Sequence, residues 1–491
     1  MGTSTLPAFL AGVALPLAIT AIVAHADEGP EQNSTASDNE SQGENEADER
    51  ASSSLIQSRL RFFRWQEDYS DLGPPGRRPG GLDRLKFIPF DASGTTYLTL
   101  GGNYRLRIEA VDNFLYGIPG VDDFTSVKNR FLIHADLHIA EHLRGFFQLG
   151  AYHETGFPGG SIPIEESGPD FHQAFIEGAF SAGRHATFKG RLGRQELPVG
   201  SSRLFGIRET INQRLAFDAA HAALSTEKLA VSLFFGRPVS GNKQAFGDSS
   251  SFDEVVWGLY GTALRALDEI RIDAFYIGRE TPAVAYLQGT VGETRHTVGA
   301  RIHGSLHGLA ASWEAAYQFG ETDTGQISAW GLATETSYEF ADVATAPRLT
   351  LRANAASGDD DPTNPDVQTF HALYPNLAYF SQAATYAPTN AVDVHPRVEL
   401  RPGSHWTAYA GITWIWRLST DDAIYAAGYR PLLSVGDDRY TTALFEAGAS
   451  FSPTPRIQID LATVVATAGP LVRANAGQTV RFFALNTSLQ F

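Results

Sequence analysis

From residue 95 to residue 110 the chain reads TTYLTLGGNYRLRIEA, with Leu98, Leu100, Tyr104, Leu106 and Ile108 at one parity and Thr99, Asn103, Arg105, Arg107 and Glu109 at the other. Period two over so long a stretch predicts a strand with one apolar face and one charged face. Strands of soluble proteins run to about 5–6 residues, whereas crossing an outer membrane at a tilt takes about 9–11. Length and polarity together predict a strand whose apolar face meets lipid.

The pattern recurs along the chain. Phe131, Ile133, Ala135, Leu137 and Ile139 alternate with Arg130, His134, Asp136 and His138, and Ile270, Ile272 and Ala274 with Arg271 and Asp273. Leu309, Trp313, Tyr317 and Phe319 oppose Ser312, Glu314 and Gln318, and Leu349 and Leu351 oppose Arg348 and Arg352. Trp406, Ile412, Trp414 and Trp416 give another face, rich in the aromatic residues found at membrane interfaces. Turn residues separate these runs, as at Pro158-Gly159-Gly160 and Gly436-Asp437-Asp438. At about 24 residues per strand and loop, residues 55–491 predict an all-β fold, a single transmembrane antiparallel β-barrel of about 18 strands.

The start of the chain reads differently. Residues 6–24 are a long apolar run, closed by Ala24-His25-Ala26, the small-x-small pattern of a signal-peptidase site, so residues 1–26 are predicted to be a signal peptide. Residues 27–54 hold nine acidic side chains, one Arg and no large apolar residue, and are predicted to be an acidic disordered tail. The tail reads as a solvated linker or as a charged tether near a pore. At the other end Phe483, Leu485, Leu489 and Phe491 share one face and Phe491 is the last residue. An apolar alternating strand with a terminal aromatic resembles the signal read by the outer-membrane assembly machinery, which makes that machinery, outer-membrane lipid and lipopolysaccharide the expected partners.

Charge and composition narrow the chemistry. The chain has 491 residues and no Cys, which excludes disulfides, thiolate zinc sites and thiol nucleophiles. A net charge of −17 argues against nucleic acid as a partner. The tail carries eight of those charges. Within the barrel, the polar strand faces should point to the lumen, giving an inward set of Arg105, Arg107, Arg130, Arg191, Arg271, Arg295, Arg301, Arg348 and Arg352, mixed with Glu109, Asp136, Glu177, Asp218, Asp273, Glu314 and Asp460. Arginine offers a planar fork matched to carboxylates and keeps its charge when partly desolvated. Two readings stay open: rings of Arg that attract anions, or cross-strand ion pairs that brace the wall.

The middle of the chain adds a specific block: Gly193-Arg194-Gln195-Glu196-Leu197, Gly200-Ser201-Ser202-Arg203-Leu204, Arg208-Glu209, and Asn212-Gln213-Arg214-Leu215-Ala216-Phe217-Asp218. It resembles the signature of the alginate-export family of outer-membrane porins. Arg64-Trp65 with Glu67-Asp68-Tyr69-Ser70, Leu85 to Pro89, Ala355 to Asp359, and Thr369-Phe370 with Leu373-Tyr374-Pro375 extend the likeness. The resemblance implies an 18-stranded monomeric barrel whose Arg-lined constriction passes an acidic polysaccharide, and it adds Arg194, Arg203, Arg208, Arg214 and Asp218 to the lumen candidates. His221 and the acidic tail depart from the family pattern.

Other chemistries carry less. His134, Asp136 and His138 share a strand face that could hold a metal, and Asp359, Asp361 and Asp366 lie in an oxygen-rich stretch that could hold Ca²⁺ but lacks the spacing of the helix-loop-helix calcium motif. Ordinary pore lining and a solvated turn are the expectations, with no cofactor. A barrel hydrolase would need a Ser-His-Asp arrangement, and no G-x-S-x-G element occurs. An adhesin or receptor barrel would use its loops, and residues 357–401 suit either that or a segment folding into the pore.

Overall fold

The computed structural model describes residues 59–72, 81–183, 185–267, 269–434 and 436–491. The predicted signal peptide and acidic tail lie outside the described residues. The strands are β1 (Tyr97–Asp112), β2 (Phe124–Ile139), β3 (Leu143–Thr155), β4 (Ser167–Ser181), β5 (Ala186–Gln195) and β6 (Phe217–Thr226). They continue as β7 (Leu229–Ser240), β8 (Val255–Leu267), β9 (Ile270–Tyr286), β10 (Gly289–Leu306), β11 (Leu309–Thr322) and β12 (Gln326–Glu339). The last six are β13 (Arg348–Ala356), β14 (Ala391–Gly403), β15 (Trp406–Trp416), β16 (Tyr440–Thr454), β17 (Ile457–Ala468) and β18 (Val480–Gln490). Each pairs antiparallel with its neighbours in the chain, and β1 closes the barrel on β18, with Arg105 opposite Ser488 and Ile108 opposite Leu485. Closure leaves no barrel edge unpaired.

Alternation decides which face points where. On β2, Phe131 and Ile133 are 52% and 56% exposed while Arg130 and His134 are buried, the inverse of a soluble protein. Leu349, Leu351, Trp313, Tyr317 and Trp406 are likewise exposed on the outer face, and Arg352, Asp273 and Gln318 are buried on the inner one. An outer surface of this kind is stable only against lipid. Phe483, Leu489 and Phe491 join it, and the backbone of Phe491 pairs with Gly102 of β1, so the chain end is part of the seam.

One end of the barrel carries short turns, such as residues 227–228, 307–308 and 404–405, together with the start of β1 and the end of β18. The other carries the long loops 196–216, 357–390 and 417–439. The predicted loop at 357–401 therefore ends early, because from Ala391 the alternation of Asp393, His395 and Arg397 against Val392, Val394 and Val398 makes β14.

Candidate functional site in the barrel lumen

Loop 196–216, which holds most of the motif block, turns into the lumen. Its anchor is Glu209. Arg130 of β2 donates to its carboxylate at 2.6 Å, and Arg105 of β1 and Arg214 of the loop itself approach at 3.4 Å. The same wall arginines also hold backbone carbonyls: Arg105 reaches Glu209 O at 2.7 Å, and Arg130 reaches Ile211 O and Asn212 O, each at 2.7 Å. Burial alone would raise the Glu209 carboxyl, but the guanidinium groups of Arg130, Arg214 and Arg105 overcome it and hold it down at about 2.

Loop 357–390 enters from the opposite side and meets the first loop in the middle. Tyr374 N–H donates to Leu204 O at 2.9 Å, Gly206 N–H to Tyr374 O at 2.7 Å, and Asn376 N–H to Ser202 O at 3.1 Å. Phe205, fully buried, packs edge-on against Tyr374 with ring centres 5.0 Å apart. The two loops thus form a cross-brace over an apolar cluster that includes the inward residues Phe217, Phe234, Val256 and Phe275 of the wall. Wall cations pin the second loop as well: Arg352 donates to Tyr379 O at 2.9 Å and Arg295 to Thr369 O at 3.4 Å. Loop 417–439 locks it from behind, since the Asp422 carboxylate accepts from Asp359 N–H at 2.9 Å and Thr369 O–H at 2.7 Å.

Residues 59–72 and 81–96 occupy the short-turn end. Trp65 lies over the Arg191 guanidinium, which is sandwiched between it and Phe175 at 4.2 Å on either side. Arg64 donates to Gly102 O and Phe491 O, tying this segment to the closing seam. Phe62 sits beneath Arg214, so the segment reaches the first inward loop.

Among the predicted lumen residues, Arg105, Arg107, Arg130, Arg191, Arg271, Arg295, Arg301, Arg348 and Arg352 all fall on inward parities, and Arg203, Arg208 and Arg214 on the inward loop. Most are neutralised locally. Arg107 pairs with Glu109, Arg191 with Glu177, Arg295 with Glu293, Arg348 with Glu339 and Arg352 with Glu335, at 2.5–2.9 Å, and Arg301 lies 3.5 Å from Asp273. Wall bracing therefore describes these side chains. Arg203, Arg208 and Arg271 have no carboxylate partner among the described residues. Arg203 donates to Ser312 Oγ and, with Arg352, flanks the Tyr379 ring at 4.8 and 4.5 Å.

Arg194 and Asp218 depart from the expected placement. Their registers put them opposite each other, Arg194 two residues from the outward Leu192 and Asp218 one residue from the inward Phe217, so both belong to the outer face of β5 and β6. They pair at 2.9 Å, and Ser250 of loop 241–254 also donates to Asp218. Gly193 between them and Arg191 has φ +125°, where a Cβ would lie 2.3 Å from Ala174 O, so the first glycine of the motif serves strand packing.

The carboxylates offered as metal candidates have protein hydrogen-bond partners. Asp359 accepts from Gln288, Asp361 N–H and Gln368 N–H; Asp361 and Asp366 accept from turn N–H groups. Asp136 is taken by Arg144, and no group of three or more metal-ligating side chains occurs among the described residues. Residues missed from sequence include Arg279, inward at the parity of Arg271 and Asp273, and Arg144 and Arg397, each also readable from parity. Glu209 lay in the motif block, but its role as an anchor depends on a loop path that no periodicity encodes.

The model of the alginate-export family matches residues 96–485. No curated protein matches the chain in sequence. Among solved structures, the chain is similar to Pseudomonas aeruginosa OpdO, with a TM-score of 0.55 and 10% identity over 80% of this chain and 97% of that one. It is similar to P. aeruginosa OccK2 in complex with glucuronate, with a TM-score of 0.53 and 9% identity over 80% and 98%. P. aeruginosa OccD3 gives a TM-score of 0.52 and 12% identity over 80% and 91%.

Proposed function

The chain belongs to the alginate-export family, and from that membership we propose that its barrel conducts anionic saccharides of the uronate class. The protein resides in the cell outer membrane, and its family and fold are those of a channel. The short-turn end faces the periplasm and the long loops face outward, as in single-chain barrels generally. The observation that carries the substrate class is the pair of cations on the inward loop. Most wall arginines are matched by a carboxylate, whereas Arg203 and Arg208 stand at the cross-brace with none among the described residues. An uncompensated guanidinium at the cross-brace shapes the local potential, and the fork of the less buried Arg208 matches a carboxylate on a passing sugar.

The fold relative OccK2 was solved with glucuronate, a sugar acid of the class proposed. The inward path of both large loops favours a channel over an adhesin, which would display them. In this reading the barrel acts as a monomer, as the family resemblance implies. The test is single-channel recording in planar bilayers, with the reversal potential taken under a KCl gradient. Anion preference and block by uronate oligomers are expected; clear cation preference without block would overturn the proposal.

A further inference from the structure

Next to the cross-brace, several buried polar groups gather with few acceptors in hydrogen-bond reach. Arg208 of loop 196–216 and Arg279 of β9 both lie against the Tyr374 ring, their guanidinium carbons 5.5 and 5.2 Å from its centre. His371 stacks on Tyr429 of loop 417–439 at 4.0 Å. Arg279 Nη1, Tyr429 Oη and His371 Nδ1 are buried with no partner at good hydrogen-bond geometry, in residues that are 8%, 7% and 6% exposed; Arg279 Nη1 lies 4.0 Å from Glu293 Oε1 and Tyr429 Oη lies near the Ala372 backbone. A native interior satisfies nearly all such groups, so three together call for an acceptor.

The charge balance says what kind. Arg208, Arg279 and Arg295 contribute three positive charges here, while Glu254, 2.8 Å from Arg279 Nε, and Glu293, 2.9 Å from Arg295, contribute two negative ones. Both carboxylates are already engaged, Glu254 also by Tyr374 O–H and Glu293 by Tyr286 O–H. His371 adds no charge: burial, then Arg279, keeps its imidazole well below the usual range. One positive charge is left over. Arg208 is the least buried member of the group, and it is held at φ +57°, a backbone conformation rare outside Gly and retained where surroundings impose it.

We propose that Arg208, Arg279, His371 and Tyr429 form a site for a single carboxylate, reached from the lumen past Arg208, that ties the three inward loops together when filled. The carboxylate comes from a sugar acid in the pore or from a small free acid; the first source rests on the channel reading above. A guanidinium fork with a phenol and an imidazole N–H supplies donors on three sides of a monoanion.

Bromide, a monoanion visible by anomalous scattering, is the probe. In crystals of the full barrel soaked in sodium bromide, an anomalous peak is expected in contact with Arg279 Nη1 and Tyr429 Oη. The peak should vanish in Arg208→Met and in Tyr429→Phe, each checked for folding by heat-modified gel mobility. Sodium acetate should displace it; displacement by sodium glucuronate as well assigns the saccharide source, and by acetate alone the small acid. No peak, a peak unchanged in both variants, or displacement by neither salt would overturn the site. Conductance of the same preparation reads the channel proposal separately.

Discussion

Replacing Glu209 by Gln removes one negative charge from beneath three guanidinium groups while keeping the side chain's shape. Two independent magnitudes agree on the cost. A carboxyl lowered from 4.5 to about 2 by its neighbours stabilises the docked loop by about 3 kcal/mol. Breaking a buried ion pair by removing one partner costs about 3–5 kcal/mol, and the Glu209 side chain, 19% exposed, belongs at the lower end. The backbone carbonyls of residues 209, 211 and 212 still hold Arg105 and Arg130, so the loop loosens rather than leaving. About 3 kcal/mol shifts the ratio of docked to undocked loop about a hundredfold. Because the native pKa is depressed, this contribution is present above about 4.5 and is lost as pH falls through about 2. Wild-type channels recorded at pH 7 and pH 4 should therefore show similar closed-loop conductance, while Glu209→Gln should show larger, noisier openings at both. Unchanged conductance and unchanged melting in Glu209→Gln would refute the view that this carboxylate holds the loop.

Arg203→Glu should move the reversal potential toward cations: reversing a unit charge about 6 Å from a passing anion changes its local concentration about tenfold in water-like dielectric. Arg194→Glu, on the outer face, should leave the reversal potential where it is, although it sets two carboxylates against each other and lowers thermal stability. Ile133→Arg, which carries a charge into the lipid-facing side of β2, should cost about 2–4 kcal/mol in folding into bilayers, measured by denaturant titration. Trp65→Ala uncovers one face of Arg191 and should cost about 1 kcal/mol, with raised conductance from a looser segment at the short-turn end.

The wall of this barrel was legible because lipid outside and charge inside impose a two-residue period on every strand. Parity alone assigned Arg352 and Leu351 to opposite faces. The same rule, applied from Arg191 to Arg194, would have placed Arg194 outward; carrying a whole motif block into the lumen overrode it. Which carboxylate meets which arginine was not legible, since Arg352 meets Glu335 only through the register of β12 on β13, and register depends on turns as well as period. The inward loops were least legible of all. Nothing in the spacing of residues 196–216 tells a chain to turn into a lumen rather than away from it; the signal lies in Phe205 and Glu209, one apolar and one acidic group useless in a solvent loop, which find Tyr374 and Arg130 only after the barrel has closed.

Counting arginines therefore misjudges a pore of this kind. A guanidinium whose nearest neighbour is a carboxylate on the adjacent strand presents a dipole to the lumen, and its field fades within a few ångströms in water and salt. In the proposed channel, the field that a passing anion meets is set by the few cations without such a neighbour. Among the candidates here, Arg271 lies on the wall and Arg203 and Arg208 on a loop, where the backbone at Arg208 takes φ +57°. On the proposed function, a barrel that kept the wall and altered the loop would change its substrate without altering its fold, which assigns selectivity to the cross-brace and gives the wall arginines that hold it the role of keeping it in place.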